Sequence, residues 1–381
     1  MKILLKGYYG FGNLGDDILM KVSYSILRKK YADAAISIYS ENTPNNPNFT
    51  DSEYFNRYIQ ELLESIPTLV DWTNQTHYDL LFNGGGGIYK DHAYGSWQHE
   101  ALITVAKKLS PQRLRRWENR IRLGARKPHR ITFDRRIGFG LSIGPFTKSA
   151  PSYLRKVSEI GSYDALFVRD QASMNFLEGV GFSNLYYRTT DIAFLTKYWL
   201  PDKLQNKEQT KPSKVGIILL DWHQDSELYF RNIKHSAEQL GERGYEVSFF
   251  SFQKSYDQQY RAYFGDQVFA WDPYEYSMPQ FLSLLQDQNI IVSARAHGAI
   301  LAACLGVPSV CLGITLKLEE VSKMLMRSSA LLPSPFLPDL IIRAVEEMFG
   351  DYSRYLEGVY LDRAENEAQA LASEERLLKT L

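Results

Sequence analysis

Short apolar runs alternate with stretches whose apolar residues recur at helical spacing, and the pattern starts over midway along the chain. In the first half, runs at 2–6, 35–39, 80–83, 137–143, 165–169 and 185–188 have the length and residue content of buried strands. Between the first two, Ile18, Leu19, Val22, Ile26 and Leu27 recur on one face of a 3.6-residue period, which predicts a helix over 17–30. In the second half, strands are predicted at 215–220, 246–252, 267–271, 289–294 and 309–314, and helices at 225–241, 278–286 and 297–305. Nearly continuous apolar strands separated by helices are the pattern of parallel sheets covered on both faces. An α/β fold follows.

The two series are separated by 201–214, PDKLQNKEQTKPSK, which is polar, carries two prolines and has no apolar period. The expected organisation is therefore a Rossmann-like domain over 1–200, a linker over 201–214 and a second Rossmann-like domain over 215–350. Two such domains facing a cleft is an arrangement found in many sugar-transferring enzymes. Leu356, Tyr360, Ala364, Ala368 and Leu371 then recur at near-helical spacing, predicting a C-terminal helix over 351–381.

Composition changes this picture little. Hydrophobic residues make up 44% and charged residues 23% of 381, an ordinary balance for a folded chain that needs no staple. Lys plus Arg and Asp plus Glu both number 44, which argues against the basic field of a general nucleic-acid binder. Cys304 and Cys311 are too few for a disulfide framework or a zinc site, so a reduced, cytoplasmic chain is expected. The opening MKILLK has too short an apolar run for a signal peptide. The seventeen uncharged residues 298–314 contain Gly306 and Pro308 and read as helix, turn and strand in a core.

One segment departs from neutrality. Residues 107–136 hold twelve Lys or Arg against Glu118 and Asp134, with Leu114, Trp117 and Ile121 on one helical face among arginines. Two readings stand: a peripheral contact with the inner face of a membrane, or a solvated insertion whose apolar stripe packs on its own domain.

Three stretches carry chemistry. The first strand runs into Gly7-Tyr8-Tyr9-Gly10-Phe11-Gly12-Asn13-Leu14-Gly15-Asp16-Asp17 and then a helix. Glycines there admit positive φ and close approach of a ligand, while Asp16 and Asp17 either cap the helix or act on a sugar hydroxyl. Asn83 is followed by Gly84-Gly85-Gly86-Gly87, expected as a glycine loop at a strand's carboxyl end with room for a ligand or for a close backbone crossing. Ser293-Ala294-Arg295-Ala296-His297-Gly298 sets Arg295 and His297 between a strand end and a helix start, where open α/β sheets bind ligands. Arg295 can fork onto a phosphate or carboxylate, and His297 beside a bound dianion is favoured as a proton donor. Arg169 also closes a strand, Asp191 follows the last strand of the first half, and Lys317 follows the strand at 309–314. No His, Cys, Asp and Glu cluster has metal-ligand spacing, so neither metal nor cofactor is expected.

Taken in order, GYYGFGNLGDD (7–17), FNGGGGIYKD (82–91), Ile143-Gly144-Pro145, Val168-Arg169-Asp170 with the helix after it, Asp191-Ile192-Ala193-Phe194 and SARAHGAILAACLGVPSV (293–310) resemble the polysaccharide pyruvyl transferases. The resemblance implies two Rossmann-like domains in the glycosyltransferase-B-like arrangement. It implies transfer of the pyruvyl group of phosphoenolpyruvate to two hydroxyls of one sugar, closing a cyclic ketal and releasing phosphate. Arg295 and His297 match the family's Arg-x-His, and Arg169 the arginine of its Val-Arg-Asp. Ala294 and Ala296 stand where the family more often has a methionine and a bulky apolar residue. On this reading Arg295, His297 and Lys317 of the second domain, with Arg169 of the first, bind phosphoenolpyruvate. Gly12, Asn13, Gly15, Asp16, Gly85 and Gly86 face a sugar acceptor, polymer or lipid-linked, on the first. His297 and Arg295 act on the donor, with Asp16 or Asp17 as base.

Two other functions fit the same residues. A nucleotide-sugar glycosyltransferase of this architecture would use Glu319 or Glu320 to hold the donor ribose. A non-catalytic sugar- or membrane-binding component of envelope assembly would need none of this machinery.

Overall fold

The computed structural model describes residues 1–40, 59, 62–63, 67–70, 76–89, 131–146, 153–204, 213–221, 226–254 and 260–381. Two compact units emerge from the contacts: Met1–Gly10 with Leu27–Arg188, and Phe11–Ile26 with Thr189–Leu381.

The first unit is built on a seven-stranded parallel sheet in the order β3-β2-β1-β4-β5-β6-β7. Its strands are β1 (Lys2–Lys6), β2 (Ala35–Tyr39), β3 (Thr68–Val70), β4 (His77–Tyr89), β5 (Thr132–Ile143), β6 (Ala165–Val168) and β7 (Leu185–Arg188). Helices α2 (Tyr153–Gly161) and α3 (Gln171–Gly179) belong to it, with Asp170 capping α3 through the Ser173 N–H at 2.7 Å. Leu141, Ile143, Ile160, Tyr163, Leu166, Val168 and Leu177 form one core cluster, each fully or almost fully buried. Burying an aliphatic side chain of this kind contributes about 1.5–3 kcal/mol.

One expectation is corrected here. The four glycines are not a loop after a strand: Gly84–Gly87 lie within β4, which continues to Tyr89. Gly85 and Gly86 have φ of 70° and 82°, and the pairing with β5 shifts register between Gly86 and Tyr89. Only glycine takes that conformation without strain, so the run makes a bulged strand where apolar periodicity suggested an end. The Tyr9 hydroxyl donates to the Gly84 carbonyl. The basic segment, expected as a membrane-surface contact or a solvated insertion, is described only at its end. Residues 107–130 lie outside the described residues, but 132–136 are the start of β5. Arg136 is buried, its guanidinium 4.1 Å from the Tyr163 ring and bonded to Ser162 Oγ (2.8 Å) and Glu159 Oε1 (3.0 Å). At least this arginine packs the first unit and is not on its surface.

The second unit carries a six-stranded parallel sheet in the order β10-β9-β8-β11-β12-β13. The strands are β8 (Lys214–Leu219), β9 (Glu246–Ser251), β10 (Val268–Ala270), β11 (Ile290–Ser293), β12 (Ser309–Gly313) and β13 (Ser329–Pro333). Around it are α1 (Leu14–Lys30, its last turn counted with the first unit), α4 (Ser226–Glu242), α5 (Arg261–Phe264), α6 (Met278–Gln286), α7 (Ala296–Cys304), α8 (Leu316–Met324), α9 (Pro338–Gly350) and α10 (Tyr352–Thr380). Both sheets thus start at a middle strand, run outward one way and resume on its other side, which is the doubly wound order. The apolar stretch 298–314 is resolved as α7, a turn at Gly306 (φ 80°) and β12, with every residue from Gly298 to Cys304 buried. Among the described residues no helix is long and apolar enough to cross a membrane.

The C-terminal helix α10 docks through polar groups. Asp362, almost fully buried, accepts from the Arg327 and Ser328 N–H groups, both at 3.0 Å, and from Ser328 Oγ at 2.7 Å. Thr190 Oγ1 donates to Asn366 Oδ1 (2.6 Å) and Thr196 Oγ1 to Glu367 Oε1 (2.9 Å). Lys197 Nζ and the Tyr198 hydroxyl share Glu374, at 2.5 and 2.6 Å. Burial, helped by that carboxylate, pushes the Tyr198 hydroxyl well above its ordinary range. These contacts explain why 189–200, expected to end the first domain, clusters with the second unit.

Cys304 and Cys311 are both fully buried. Burial drives the Cys304 thiol far up and the Cys311 thiol up to about 12, so neither yields appreciable thiolate near neutral pH. Both are expected to resist a thiol-reactive dye in the native protein and to label fully in denaturant; rapid labelling of native protein would contradict this packing. Because the folded values are raised, their contribution to stability is complete below the ordinary thiol value of 9.0 and declines as pH rises through the folded values.

Candidate active site

The strand order of the second unit's sheet reverses between β8 and β11, the position where parallel sheets open a crevice at their carboxyl ends. Arg295 sits there as the residue before α7, in extended conformation (φ −119°, ψ 134°). Ser293 Oγ builds the turn: it donates to the Arg295 carbonyl (2.7 Å) and accepts from the Arg295 N–H (3.1 Å). Arg295 Nε donates to the Leu219 carbonyl at the end of β8 (3.2 Å), which fixes the side chain across the switch point. A Cβ on Gly298 would fall 2.2 Å from Ser293 Oγ, so glycine is what lets the helix start lie this close to its strand. Asp221, buried just past β8, belongs to the same edge.

His297 lies in the first turn of α7, 15% exposed. Its Nε2 is buried, makes no hydrogen bond and lies 3.6 Å from Asp191 Oδ2. Asp191 is itself fully buried and caps the short 3-10 turn Ile192–Phe194 by accepting from the Ala193 N–H at 3.0 Å. On its other edge the ring packs against α1. A Cβ on Gly15 would sit 2.2 Å from His297 Nδ1 and 2.5 Å from Cγ.

The start of α1 is fixed from both sides. Asn13 caps it, accepting from the Gly15 N–H through Oδ1 (3.2 Å) and from the Asp17 N–H through its carbonyl (2.9 Å). The Leu14 N–H reaches the Phe252 carbonyl beyond β9 at 3.1 Å. Asp17 is fully buried and accepts from Trp271 Nε1 at 3.0 Å, whereas Asp16 keeps partial exposure. Of the acidic pair, Asp17 ties α1 to the chain after β10 and Asp16 is the partly exposed one. Gly12 takes a positive φ of 62°.

Asn13, Gly15, Asp16, Asp17, Arg295 and His297 therefore meet in the second unit, although 278 residues of sequence separate Asp17 from Arg295. Lys317 is the second residue of α8, which follows β12, the strand paired with β11. Its helix and α7 thus start at neighbouring strand ends, and a first turn has N–H groups without intrahelical partners. Arg169, buried at the end of β6, and Gly85 and Gly86 in β4 belong to the first unit. Sequence reasoning had noted Asp191 without giving it a role, and had missed Trp271 and Asp221. Among the described residues, no group of three or more His, Cys, Asp and Glu is placed to hold a metal ion.

Comparison with solved structures shows the same architecture. UDP-GlcNAc 2-epimerase from Methanocaldococcus jannaschii, in complex with UDP-GlcNAc and UDP, superposes with a TM-score of 0.56 at 13% identity, covering 96% of this chain and 99% of that one. UDP-GlcNAc 2-epimerase from Neisseria meningitidis, bound to UDP-GlcNAc, gives 0.56 at 12% identity with all of both chains covered. HepE of Anabaena, in complex with UDP-glucose, gives 0.53 at 13%, again over both whole chains. Identities this low speak to the fold, two Rossmann-like domains of glycosyltransferase-B-like type with a C-terminal helix, and not to the substrate. No curated protein sequence matches at a significant level. The model of one family does match, over residues 13–315, from the cap of α1 through the β11–α7 turn to the start of α8. With the Asn13 cap of α1 and the Arg-x-His at the switch point both inside that span, the chain belongs to the polysaccharide pyruvyl transferase family.

Proposed function

We propose that this protein transfers the pyruvyl group of phosphoenolpyruvate to two hydroxyls of one sugar, in a polysaccharide or its lipid-linked precursor. The observation that carries the reading is the pairing of Arg295 and His297 at the start of α7, beside the cap of α1. Phosphoenolpyruvate presents a phosphate and a carboxylate. Arg295, Lys317 and the first-turn N–H groups of α7 and α8 offer cationic and dipolar partners for them.

His297 delivers a proton to the methylene carbon of the donor, turning the enol carbon into an oxocarbenium-like centre. A sugar hydroxyl adds there and loses its proton to Asp16, giving a tetrahedral phosphoketal. The carbon–oxygen bond to phosphate then breaks, the phosphate departs with its electron pair, and the second hydroxyl closes the ketal as its proton leaves with the phosphate. The first hydroxyl thus adds across the double bond, the second replaces phosphate on the same carbon, and the proton left on Asp16 makes good the one given by His297 through solvent, so nothing is oxidised or reduced overall and no redox cofactor is required.

Arg295→Lys separates the fork from the charge. Lysine keeps the charge but cannot reproduce the Nε–H bond to the Leu219 carbonyl together with a bidentate grip on an anion. The expected result is a rise in KM for phosphoenolpyruvate of about 10-fold or more, in line with the roughly 1.5–3 kcal/mol of a charge-assisted hydrogen bond. An unchanged KM would remove Arg295 from the donor site.

The same fold serves UDP-sugar proteins, as the epimerase and HepE complexes show for those molecules. A nucleotide-sugar glycosyltransferase is therefore the competing reading, with Glu319 in the first turn of α8 as its candidate ribose ligand. Phosphate release from phosphoenolpyruvate on adding galactose-, glucose- or mannose-terminated acceptors supports pyruvyl transfer. Absence of release, together with thermal stabilisation by a UDP-sugar, favours the competitor.

A further inference from the structure

We propose that Asp191 is the positioning residue of His297, holding Nε2–H so that Nδ1 is the nitrogen that delivers the proton. The inference rests on reading His297 as the proton donor and adds to it which nitrogen acts and what fixes the ring. The Asp191 carboxylate is fully buried, and its two oxygens have different neighbours. Oδ1 is held by the Ala193 N–H at 3.0 Å, while Oδ2 faces the buried Nε2 of His297 at 3.6 Å. Nε2 makes no hydrogen bond. A buried ring nitrogen with a carboxylate as its polar neighbour carries hydrogen, because the opposite assignment would set a lone pair against the anion. Catalytic hydrogen bonds are often long in unliganded proteins and shorten when substrate binds, and 3.6 Å is within reach of such a closure. The opposite edge, Nδ1, faces Gly15 in the first turn of α1, next to Asp16, the carboxylate assigned to the acceptor.

The carboxylate is itself held from outside the span matched by the family. Residues on either side of Asp191 are fastened to α10: Thr190 to Asn366, Thr196 to Glu367, and Lys197 and Tyr198 to Glu374. The C-terminal helix, beyond residue 315, thus anchors the segment that presents the carboxylate to the histidine.

Asp191→Asn isolates the interaction, since asparagine keeps an oxygen for the Ala193 N–H and nearly the same shape while removing the charge facing Nε2. Two readouts decide. In proton NMR of the parent protein, an exchange-protected imidazole N–H resonance, assigned by its loss in His297→Gln, is expected to persist in Asp16→Asn and to vanish in Asp191→Asn. In turnover, Asp191→Asn should lower kcat at least about 10-fold with KM for phosphoenolpyruvate within about twofold, because orientation of the acid is lost and donor binding is not. Asp191→Glu, which restores the charge, should recover part of the loss, and it carries the same test should the asparagine variant not fold. A resonance unchanged in Asp191→Asn, or a folded Asp191→Asn with parental kcat, would overturn the proposal. If the parent turns over no acceptor, it is the pyruvyl transfer reading that fails, and the resonance alone decides the pairing.

Discussion

Replacing His297 by alanine is expected to lower kcat by about 10⁴-fold, the upper end for loss of a general acid, because protonation of carbon has no alternative donor in the proposed sequence. The fold should survive. His297 occupies the first turn of α7, where alanine is a good helix former, and the helix is held by its buried face from Gly298 to Cys304. Binding of phosphoenolpyruvate should also survive within a few-fold, since Arg295 and the helix N-termini remain. The comparison of kcat with donor affinity, alongside a melting curve, checks this. A variant that melts like the parent and still turns over would remove His297 from the chemistry.

Gly15→Ala should also be damaging, though less so, for a reason visible only in three dimensions. No positive φ demands glycine here, and alanine would by propensity favour the first turn of α1. The added methyl group, however, would fall 2.2 Å from His297 Nδ1 and 2.6 Å from its Cβ. The ring must move, and misplacing a catalytic group by an ångström costs on the order of 100-fold. The test is a double-mutant cycle. Gly15→Ala should cost about 100-fold in kcat alone and almost nothing further on top of His297→Ala, because both act on the same ring. Additive losses would mean that Gly15 serves the acceptor independently. That outcome would return Gly15 to the role its glycine-rich surroundings first suggested.

The residues that announced themselves in the sequence are those whose role is local. The strands at 2–6, 35–39 and 185–188 and the helix at 278–286 are found with those bounds, since short strand-forming runs and one amphipathic face are written in consecutive residues. Arg295 and His297 were legible because a strand, a short turn and an apolar helix follow one another directly. β3 and β13 were not legible. Both are short edge strands, and partly exposed edges lack the continuous apolar run that marks a central strand. β4 was read as ending at 83 because glycines signal turns, whereas here they make a bulge inside a strand.

What the sequence could not show is pairing across distance. Asp191 and His297 are 106 residues apart, and no local pattern links them. Asp16 and Asp17 are adjacent and chemically identical. Only the structure turns one toward Trp271 Nε1 in the core and leaves the other partly exposed. Gly15 was chosen for ligand approach, yet its nearest constraint is a side chain of the same protein. Arg136, the last of the basic run, is likewise a matter of distant pairing: stacked on Tyr163 and bonded to Ser162 and Glu159 it is a packing residue, while its neighbour Arg135 is exposed.

The central claim is that the pyruvyl carbon itself moves to sugar. The most direct measurement is carbon-13 NMR of the product formed from phosphoenolpyruvate labelled at the enol carbon, with a panel of galactose-, glucose- and mannose-terminated acceptors. Pyruvyl transfer predicts that the label appears as a ketal carbon bonded to two sugar oxygens, in amount equal to the phosphate released, and is absent with His297→Ala. Label recovered only as phosphoenolpyruvate or free pyruvate, while a UDP-sugar extends the same acceptors, would contradict it.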